Sequence, residues 1–316
     1  MKPIKIAVLM DDIKSIKPHK DSSLAMMLEA SRRNWEIYTF DSHDLFAQEG
    51  QVLATCSKTQ VFDSTTHWHE QSPKSNLPLN EFDVILMRKD PPFDMNYIYA
   101  TYFLEQAEAK GALVVNKPQS LRDANEKLFA LNFPHCIAKT LVSSNQAQLK
   151  KFIDVQGVSV VKPLDGMGGK DIFKLERGDS NITEVLDYLT QQGSTPIMAQ
   201  EFLPEISQGD KRILLINGKP IDYALARMPA KGSFKGNLAA GAIGVGQALS
   251  DRDRYLCEQI APTLKAKGLM FVGLDVIGDY ITEINVTSPT CIRELDEQFD
   301  LNIAGVLFDA IEQALN

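Results

Sequence analysis

A lysine followed by a glycine-rich turn is the segment whose residue types point most directly to chemistry. Lys162 ends a short apolar run and precedes a turn that contains Asp165, Gly166, Gly168 and Gly169. Glycine lets backbone N–H groups approach a ligand closely, and successive N–H groups beside a lysine attract anions. The segment therefore predicts a polyphosphate site, although it matches neither common phosphate-loop pattern. The alternative is a plain hairpin turn between two strands.

Three oxygen-bearing side chains near the end of the chain form a second candidate site. Glu283 and Asn285 lie two apart on one predicted strand, so they share a face, and a turn at Gly278 brings Asp275 alongside. Carboxylate and amide oxygens without histidine or cysteine are typical ligands of Mg²⁺ that is held largely through nucleotide phosphates. The pattern predicts a magnesium–nucleotide site, and the alternative is a polar stripe that faces solvent.

A polar pair followed by an apolar pair marks the end of another predicted strand, in the order Gln200, Glu201, Phe202 and Leu203. Backbone groups there could read the edge of an adenine ring while apolar side chains cover its faces. Shortly afterwards, Asp210 could bind ribose hydroxyls and Arg212 could bind a phosphate. The alternative for this second pair is a β-turn with flanking charges.

The N-terminal elements predict a parallel sheet. Ile4–Met10 and Trp35–Phe40 read as strands, and Asp21 can cap a helix between them, which makes a βαβ unit. Val84–Met87 reads as a further buried strand that ends at Arg88. Because ligands of open α/β sheets gather at the carboxyl ends of strands, Arg88 is a candidate clamp for a substrate carboxylate. Alternatively it forms a surface ion pair with a nearby aspartate.

Three other segments carry weaker predictions. Residues 48–80 are polar and rich in proline and serine, so we expect loop with some short strand, and the histidines at 67 and 69 have no third metal ligand nearby. Residues 122–128 read as the start of a helix, on which Lys127 either reaches a phosphate or is solvated. The segment 227–246 contains five glycines, which indicates a mobile lid over reactants.

Composition narrows the class of protein. A formal net charge of −8 over 316 residues argues against a dedicated nucleic-acid binder, and no apolar run approaches the roughly 18 residues that span a bilayer. The four cysteines are scattered, which predicts reduced thiols and a cytoplasmic location. Cys291 has no neighbouring histidine and is expected to be a loop thiol rather than a nucleophile.

Taken together, these positions resemble an ATP-grasp enzyme, and the chain as a whole resembles the bacterial type of glutathione synthetase. The stretches that carry the closer resemblance run from end to end of the chain: Lys20–Ser23, Leu86–Asp94, Asn116–Asp123, Lys162–Gly169, Arg227 with Gly236–Gly241, and Thr282–Arg293. The resemblance implies an α/β protein with an ATP-grasp fold preceded by an N-terminal parallel-sheet domain. We place the N-terminal domain at 1–122, a central subdomain at 123–202 and a C-terminal subdomain at 203–316.

By resemblance, such an enzyme joins γ-glutamylcysteine to glycine through an acyl phosphate and releases ADP and phosphate. ATP is then the co-substrate, and two Mg²⁺ ions, which Mn²⁺ could replace, are bound by the three oxygen ligands. The resemblance also implies phosphate contacts for Lys127, catalytic roles for Arg212 and Arg227, and substrate contacts for Arg88, Asn237 and Ser288. The family usually forms a tetramer, so a homotetramer is expected.

One departure and two alternatives accompany this interpretation. After Gly241 the family usually reads Gly-Arg-Gly, whereas this chain has Ala242, Ile243 and Gly244, which removes a positive charge from the predicted lid. The first alternative is another ATP-grasp ligase that acts on a different carboxylate and amine. The second is an ATP-binding regulatory protein without catalysis, although such a protein would readily lose metal ligands, and all three are present.

Overall fold

A computed structural model describes residues 3–230, 232, 236 and 241–316. Three β-sheets follow one another along the chain. The strands of the first sheet are β1 Lys5–Leu9, β2 Glu36–Phe40, β3 Leu45–Gln48, β4 Gln51–Val61, β5 His69–Gln71, β6 Ser75–Pro78, β7 Val84–Met87 and β8 Leu113–Val115. The accompanying helices are α1 Ser22–Arg32, α2 Met95–Glu108 and α3 Pro118–Asp123, with short 3₁₀ helices at Ser42–Asp44 and Leu79–Glu81.

The centre of the first sheet is parallel, as predicted. β1 pairs in parallel with β2 and β7, and β7 pairs in parallel with β8. Strands covered on both faces read as continuous apolar runs, and β7 is buried along its whole length. The predicted helix cap is confirmed, because the Asp21 carboxylate accepts a hydrogen bond from the Leu24 N–H at 2.6 Å. Between the carboxyl end of β1 and the start of α1, residues 10–21 form turns without helix or strand.

The prediction for residues 48–80 is largely wrong. Most of this region is β-structure, and β4 alone spans 11 residues and pairs with β2, β3, β5 and β6 in antiparallel fashion. Several of its inward positions carry small polar side chains, and Thr59 shares a hydrogen bond of 2.8 Å with Thr39 on β2. Because these buried residues are Ser and Thr rather than apolar, the strand resembles a loop in sequence.

The second sheet has four antiparallel strands in the order β11-β10-β12-β9. They are β9 Thr140–Ser143, β10 Val158–Pro163, β11 Phe173–Glu176 and β12 Ile197–Glu201, with helices α4 Gln146–Gln156 and α5 Ile182–Thr190. These elements enclose a small core of their own, which includes Leu149, Ile153, Val161 and Leu186. Lys162 and Gln200 lie on neighbouring strands of this sheet, at or near the strand ends.

The third sheet has five antiparallel strands in the order β15-β14-β13-β16-β17. They are β13 Asp210–Ile216, β14 Lys219–Met228, β15 Ile243–Ala248, β16 Phe271–Ile277 and β17 Tyr280–Asn285. The helices are α6 Asp251–Ala266, α7 Ile292–Phe299 and α8 Ile303–Leu315, and a 3₁₀ helix covers Pro204–Gln208. Both ends of the predicted lid are therefore strand, since Arg227 pairs with Gly244 and Met228 with Ile243.

The first and third sheets share their cores. The two larger apolar clusters each combine side chains from both sheets, for example Leu9 with Val272 in one and Val8 with Leu214 in the other. Asn116 joins the sheets further, because its Nδ2 donates to the carbonyls of Phe271 and Val286, both at 2.7 Å. The four-stranded sheet takes no part in either cluster, so its core is separate.

The predicted helix at 122–128 is wrong in its position. Helix α3 ends at Asp123, and the Asn125 side chain then accepts hydrogen bonds from the N–H groups of Lys127 at 3.1 Å and Leu128 at 2.9 Å. Such a local side-chain bond replaces the helical hydrogen bonds, and only a 3₁₀ helix at Leu128–Asn132 follows. Among the described residues, no helix has the length and apolarity that crossing a membrane requires.

Candidate functional site

The two predicted phosphate-binding lysines meet at one carboxylate in a cleft between the second and third sheets. Lys162 Nζ lies 3.2 Å from Glu283 Oε1, and Lys127 Nζ lies 3.7 Å from the same atom. Lys127 also donates to the Gly166 carbonyl at 2.8 Å, which ties it to the glycine-rich turn. The lysine side chains are only 6% and 3% exposed, so their charges act in a site largely withdrawn from solvent.

Burial and charge oppose each other in this cluster. Burial lowers the pKa of Lys162, while the Glu283 carboxylate opposes that change. Burial alone would raise the pKa of Glu283, yet the two neighbouring lysines hold it below its usual value. The cluster therefore contains two cations and one anion, and the excess positive charge suits a polyanionic ligand.

The glycine-rich turn has the backbone geometry that only glycine tolerates easily. Gly168 and Gly169 have φ values of +65° and +80°, a region that disfavours other residues. A side chain at Gly166 would bring its Cβ within 2.7 Å of the Pro163 ring. All three glycines line the cleft, whereas Asp165 is exposed and is not among the lining residues.

An apolar slot lies at the far end of the same cleft. It is bounded by Val160, Phe202, Leu203, Ile206 and Ile277, within a cleft of about 910 Å³. Gln200 is buried there and donates from Nε2 to Thr140 Oγ1 at 3.1 Å, while Glu201 points outward to Lys139 at 3.8 Å. The slot therefore offers apolar faces and a strand edge, which is the environment that a flat heterocyclic ring requires.

Opposite charges alternate across the third sheet beside the lysines. Asp210 on β13 pairs with Arg227 on β14, and Arg212 on β13 pairs with Asp275 on β16. Arg212 Nε lies 2.5 Å from Asp275 Oδ1, and Arg227 Nη2 lies 2.9 Å from Asp275 Oδ2. Asp275 in turn lies opposite Glu283 on β17, so the row reaches the lysine cluster.

The two aspartates of this row respond differently to their surroundings. Burial would raise the pKa of Asp275, but Arg212 and Arg227 hold it well below its usual range. Burial raises the pKa of Asp210 to about 6, against the opposing effect of Arg227. Within the described residues, Asp210 Oδ1 and Asn285 Nδ2 are buried without a hydrogen-bond partner. Buried polar atoms of this kind are expected to gain partners from a ligand.

The predicted metal ligands come together, but they do not form a metal site made of protein alone. Asp275 lies opposite Glu283 across the strands, and Asn285 follows two residues later on the same face of β17. Both oxygens of Asp275 already contact arginines. Over the described ranges, no group of three or more His, Cys, Asp or Glu side chains is arranged to hold a metal. Glu283 and Asn285 are therefore the more available donors, and the donor chemistry fits Mg²⁺ that takes its remaining oxygens from phosphates.

A second cavity of about 1580 Å³ adjoins the cleft at the glycine turn, Asp275 and Glu283. Its other walls are the segment 11–21 after β1, the segment 285–291 after β17, and the Asp90–Pro91 pair. Ser288 lines this cavity and donates from its hydroxyl to the Arg88 carbonyl at 3.3 Å. A ligand here would lie directly beside the glycine turn, where the sequence predicts phosphate binding.

Arg88 lies behind the wall of this cavity rather than on its surface. Its Nε donates to Ser23 Oγ and its Nη2 to the Pro289 carbonyl, both at 3.0 Å. The alternative of a surface ion pair is therefore wrong. Nη1 is buried without a partner among the described residues, and burial lowers the pKa of this guanidinium. The role of Arg88 toward a substrate carboxylate stays a prediction, and Asn237 lies outside the described residues.

Sequence reasoning missed several groups in the second cavity. Glu126 lines it and accepts a hydrogen bond from Thr287 Oγ1 at 2.7 Å, and burial raises the pKa of this carboxyl. Lys17 and Lys20 line it from the segment after β1. The location of these two lysines directly after the first strand of a parallel sheet, where ligands gather, was the sequence signal that could have identified them.

Cys291 is fully buried, and burial raises the pKa of its thiol, which agrees with an inert cysteine rather than a nucleophile.

The chain matches two family models, which together cover most of its length. The N-terminal domain model of prokaryotic glutathione synthetase matches residues 4–122, and the ATP-grasp domain model of the same enzymes matches residues 126–300. A glutathione synthetase of Pseudomonas syringae pv. tomato is 54% identical over 312 residues, which cover 99% of this chain and 98% of that protein. One from Coxiella burnetii is 53% identical over 309 residues, covering 98% and 96%.

Solved structures of more distant proteins share the fold. The crystal structure of the D-cycloserine synthetase DcsG is 14% identical, covers 98% of this chain and 100% of its own, and superposes with a TM-score of 0.70. The ATP-grasp ligase PsnB is 17% identical, with coverage of 99% and 100% and a TM-score of 0.64. The predicted ATP-grasp fold is thus confirmed, and the chain belongs to the prokaryotic glutathione synthetase family.

Proposed function

We propose that this chain joins γ-glutamylcysteine to glycine at the expense of ATP. Membership of the family supports an ATP-dependent ligase that makes glutathione. The observation that carries the proposal is the meeting of the two cavities at the glycine turn, Asp275 and Glu283, next to the two lysines of the first cleft, because a phosphate placed there faces a second ligand directly. Neither cavity alone would indicate group transfer.

The nucleotide is proposed to lie along the first cleft. Its adenine fills the slot near Gln200, Glu201, Phe202 and Leu203, and Asp210 is the candidate for the ribose. Its phosphates lie over the glycine turn and between the two lysines. Lys127 is held by Gly166, and Lys162 is held by Glu283, so neither ammonium group has to reorganise when the anion arrives. Preorganised charge of this kind is the main contribution that proteins make to phosphoryl transfer.

Asp275, Glu283 and Asn285 are the residues that would hold divalent metal. We propose two Mg²⁺ ions per site, which Mn²⁺ could replace. Divalent ions held by these residues would supply positive charge that offsets the negative charge developing on the phosphates during transfer. The chain contributes the orientation of these donors, since Arg212 and Arg227 fix the Asp275 carboxylate from two sides.

The second cavity is proposed to hold the acceptor. A carboxylate oxygen of γ-glutamylcysteine bonds to the γ-phosphorus, and the bond from that phosphorus to ADP breaks. The neutral amine of glycine then bonds to the acyl carbon, the bond from that carbon to the phosphate oxygen breaks and phosphate leaves, and the nitrogen releases one proton while it keeps one hydrogen as the amide N–H. Arg212 and Arg227 line the second cavity and contact Asp275, which lines both cavities, so they are suited to stabilise the negative charge of the transferred group. Arg88, Ser288 and Asn237 are proposed to hold the substrate carboxylates, directly or through the 285–291 wall.

Three further statements belong to the proposal. We propose domain limits of 1–122, 123–202 and 203–316, which the succession of the three sheets along the chain supports. The active form is proposed to be a homotetramer, because the resemblance to the family implies it, and the scattered cysteines support a cytoplasmic location. Light scattering on the purified protein tests the oligomer, and a dimer or monomer that retains full activity would contradict it.

The deciding experiment measures phosphate release with ATP, Mg²⁺, γ-glutamylcysteine and glycine, and omits each in turn. We expect release only in the complete mixture, with glutathione formed in equal amount. Release that ignores both amino-acid substrates would contradict the proposal. Release with another acceptor and amine, but not with these, would favour a different ligase.

A further inference from the structure

The segment after β1 forms a wall of the substrate cavity without being helix or strand. Ser15, Ile16, Lys17 and Lys20 of this segment line the cavity. Its internal hydrogen bonds are local, for example from the Ser15 N–H to the Asp12 carbonyl at 2.8 Å. Segments with few buried contacts and exposed backbone open readily. Contacts from outside must therefore fix the shape of this wall.

A hairpin arm, residues 61–71, supplies one such contact and is itself firmly held. The Phe62 N–H donates to the Trp68 carbonyl at 2.9 Å, and the rings of Phe62 and His67 stack with centroids 5.2 Å apart. At the base, Gln71 Nε2 donates to Thr39 Oγ1 at 2.9 Å on β2. The arm is thus fixed to the first sheet.

Trp68 joins the arm to the cavity wall. Its indole Nε1 donates to the carbonyl of Ile13 at 2.9 Å. The ring packs on the apolar cluster that contains Ile13 and against which Ile16 also packs. A tryptophan provides both a large apolar area and one directed donor, so a single side chain fixes the wall by packing and by hydrogen bonding.

A second contact joins the arm to the start of α7. Asp63 pairs with Arg293 at 2.6 Å, and Arg293 lies at the start of α7, directly after the 285–291 segment. Asp63 is 69% exposed, and exposed ion pairs contribute little stability. The arm therefore contacts both the 11–21 segment and α7, and the Trp68 contact is the partly buried and directional one.

We propose that Trp68 is a positioning residue that holds the 11–21 segment in the shape that receives the amino-acid end of the dipeptide substrate. The lining of this segment offers both charge signs, from Lys17 and Lys20 and from Asp11 and Asp21. That mixture complements an α-ammonium and an α-carboxylate on one carbon, the head group that a γ-linked glutamyl residue leaves free. The inference rests on the proposed function and assigns the 11–21 segment as the site that binds the glutamyl end of the dipeptide substrate.

The test replaces Trp68 by phenylalanine, which keeps an aromatic ring and removes the N–H donor. We expect the KM for γ-glutamylcysteine to rise roughly three- to tenfold, the range that one net hydrogen bond supplies. The KM for ATP and kcat should change less than about twofold, since the nucleotide cleft is untouched. Trp35→Phe is the matched control, because Trp35 packs on Phe308 with centroids 4.9 Å apart, outside the lining of either cavity.

The rate of trypsin cleavage after Lys14 and Lys20 provides a readout that does not depend on activity. We expect γ-glutamylcysteine to slow cleavage of the wild type, and Trp68→Phe to be cleaved severalfold faster without ligand. If Trp68→Phe does not fold, the fluorescence of the Trp35→Phe protein provides the test instead, because Trp68 is the sole tryptophan of that variant. The dipeptide, but not ATP, should then shield its emission from acrylamide.

Three results would overturn the inference. The first is a Trp68→Phe enzyme with unchanged KM for the dipeptide and unchanged cleavage. The second is an equal rise in KM for ATP, which would indicate a general structural role. The third is tryptophan emission of the Trp35→Phe protein that the dipeptide does not affect. A wild type that forms no glutathione would instead refute the proposed function, and cleavage of the two proteins would still test whether Trp68 holds the segment.

Discussion

Replacing Glu283 by glutamine separates the two roles assigned to this residue. In the free enzyme its carboxylate neutralises Lys162 at 3.2 Å and Lys127 at 3.7 Å. With an effective dielectric constant of 20, these distances correspond to Coulomb energies of about 5 and about 4.5 kcal/mol. Desolvation offsets most of this, and breaking buried pairs costs about 3–5 kcal/mol. Because Glu283 is 20% exposed, we expect a loss near the lower limit, roughly 3 kcal/mol.

Catalysis should suffer far more than nucleotide binding. Metal bridging contributes several kcal/mol to the transition state, so we expect Glu283→Gln to lower turnover roughly a thousandfold. The melting temperature should fall by roughly 5–10 °C without ligand. ATP in EDTA should restore more of this loss in the variant than it adds to the wild type, because the phosphates supply the missing negative charge.

The assays are phosphate release, thermal melting with and without ATP in EDTA, and calorimetric titration of ATP with and without Mg²⁺. Glu105→Gln is the control, because Glu105 pairs with Arg122 at 2.8 Å at a site that lines neither cavity. Normal turnover of the glutamine variant would refute the metal assignment. A variant that melts like the wild type would refute the charge argument.

Three other predictions concern separate features. Gly166→Ala should raise the KM for ATP about tenfold, because its Cβ would lie 2.7 Å from Pro163 Cγ; an unchanged KM would show that the turn adjusts freely. Burial alone would raise the pKa of Glu29, but the hydrogen bonds with Arg32 and Arg33 outweigh this effect and lower that pKa to about 2. The ionised Glu29 carboxylate stabilises the fold fully above about pH 5, and this stabilisation is lost as the pH falls toward 2. The melting temperature of Glu29→Gln should therefore depend less on pH over this range than that of the wild type. Identical pH dependence of the two proteins would contradict this prediction. Ile243→Arg restores the family's usual charge at a position that is 70% exposed. The free energy of unfolding should change by less than about 0.5 kcal/mol, and the KM for ATP should fall. A KM for ATP that does not fall would exclude a role for that charge.

The site was largely predictable because its chemistry is local in sequence. Lys162 with its glycines, and Glu283 with Asn285, each occupy a few consecutive positions whose geometry follows from one strand and one turn. Their convergence on one carboxylate was not predictable from periodicity, because Lys127 reaches the cleft only through the turn made by Asn125.

The failures share a physical cause, which is contact between residues far apart in the chain. Strand β4 was missed because polar residues such as Ser57 and Thr59 are buried in it, and the hydrogen-bond partner of Thr59, which is Thr39, is not evident from the sequence. Arg88 was placed correctly at a strand end, yet its side chain turns into the wall because Ser23 and Pro289 accept its hydrogen bonds. Such partners belong to the tertiary structure, so a single sequence does not show them.

The separate core of the four-stranded sheet links nucleotide affinity to partial unfolding. This sheet carries Lys162 and the glycine turn, while Glu283 belongs to the sheet whose core is shared with the N-terminal domain. Because its core is separate, we expect the small sheet to open without disrupting the shared cores, and opening would remove one half of the proposed phosphate site. Bound nucleotide therefore stabilises the small sheet by mass action. Amide hydrogen exchange in residues 140–201 becomes a measure of nucleotide occupancy, and mutations deep in that core will change apparent nucleotide affinity without touching the ligand.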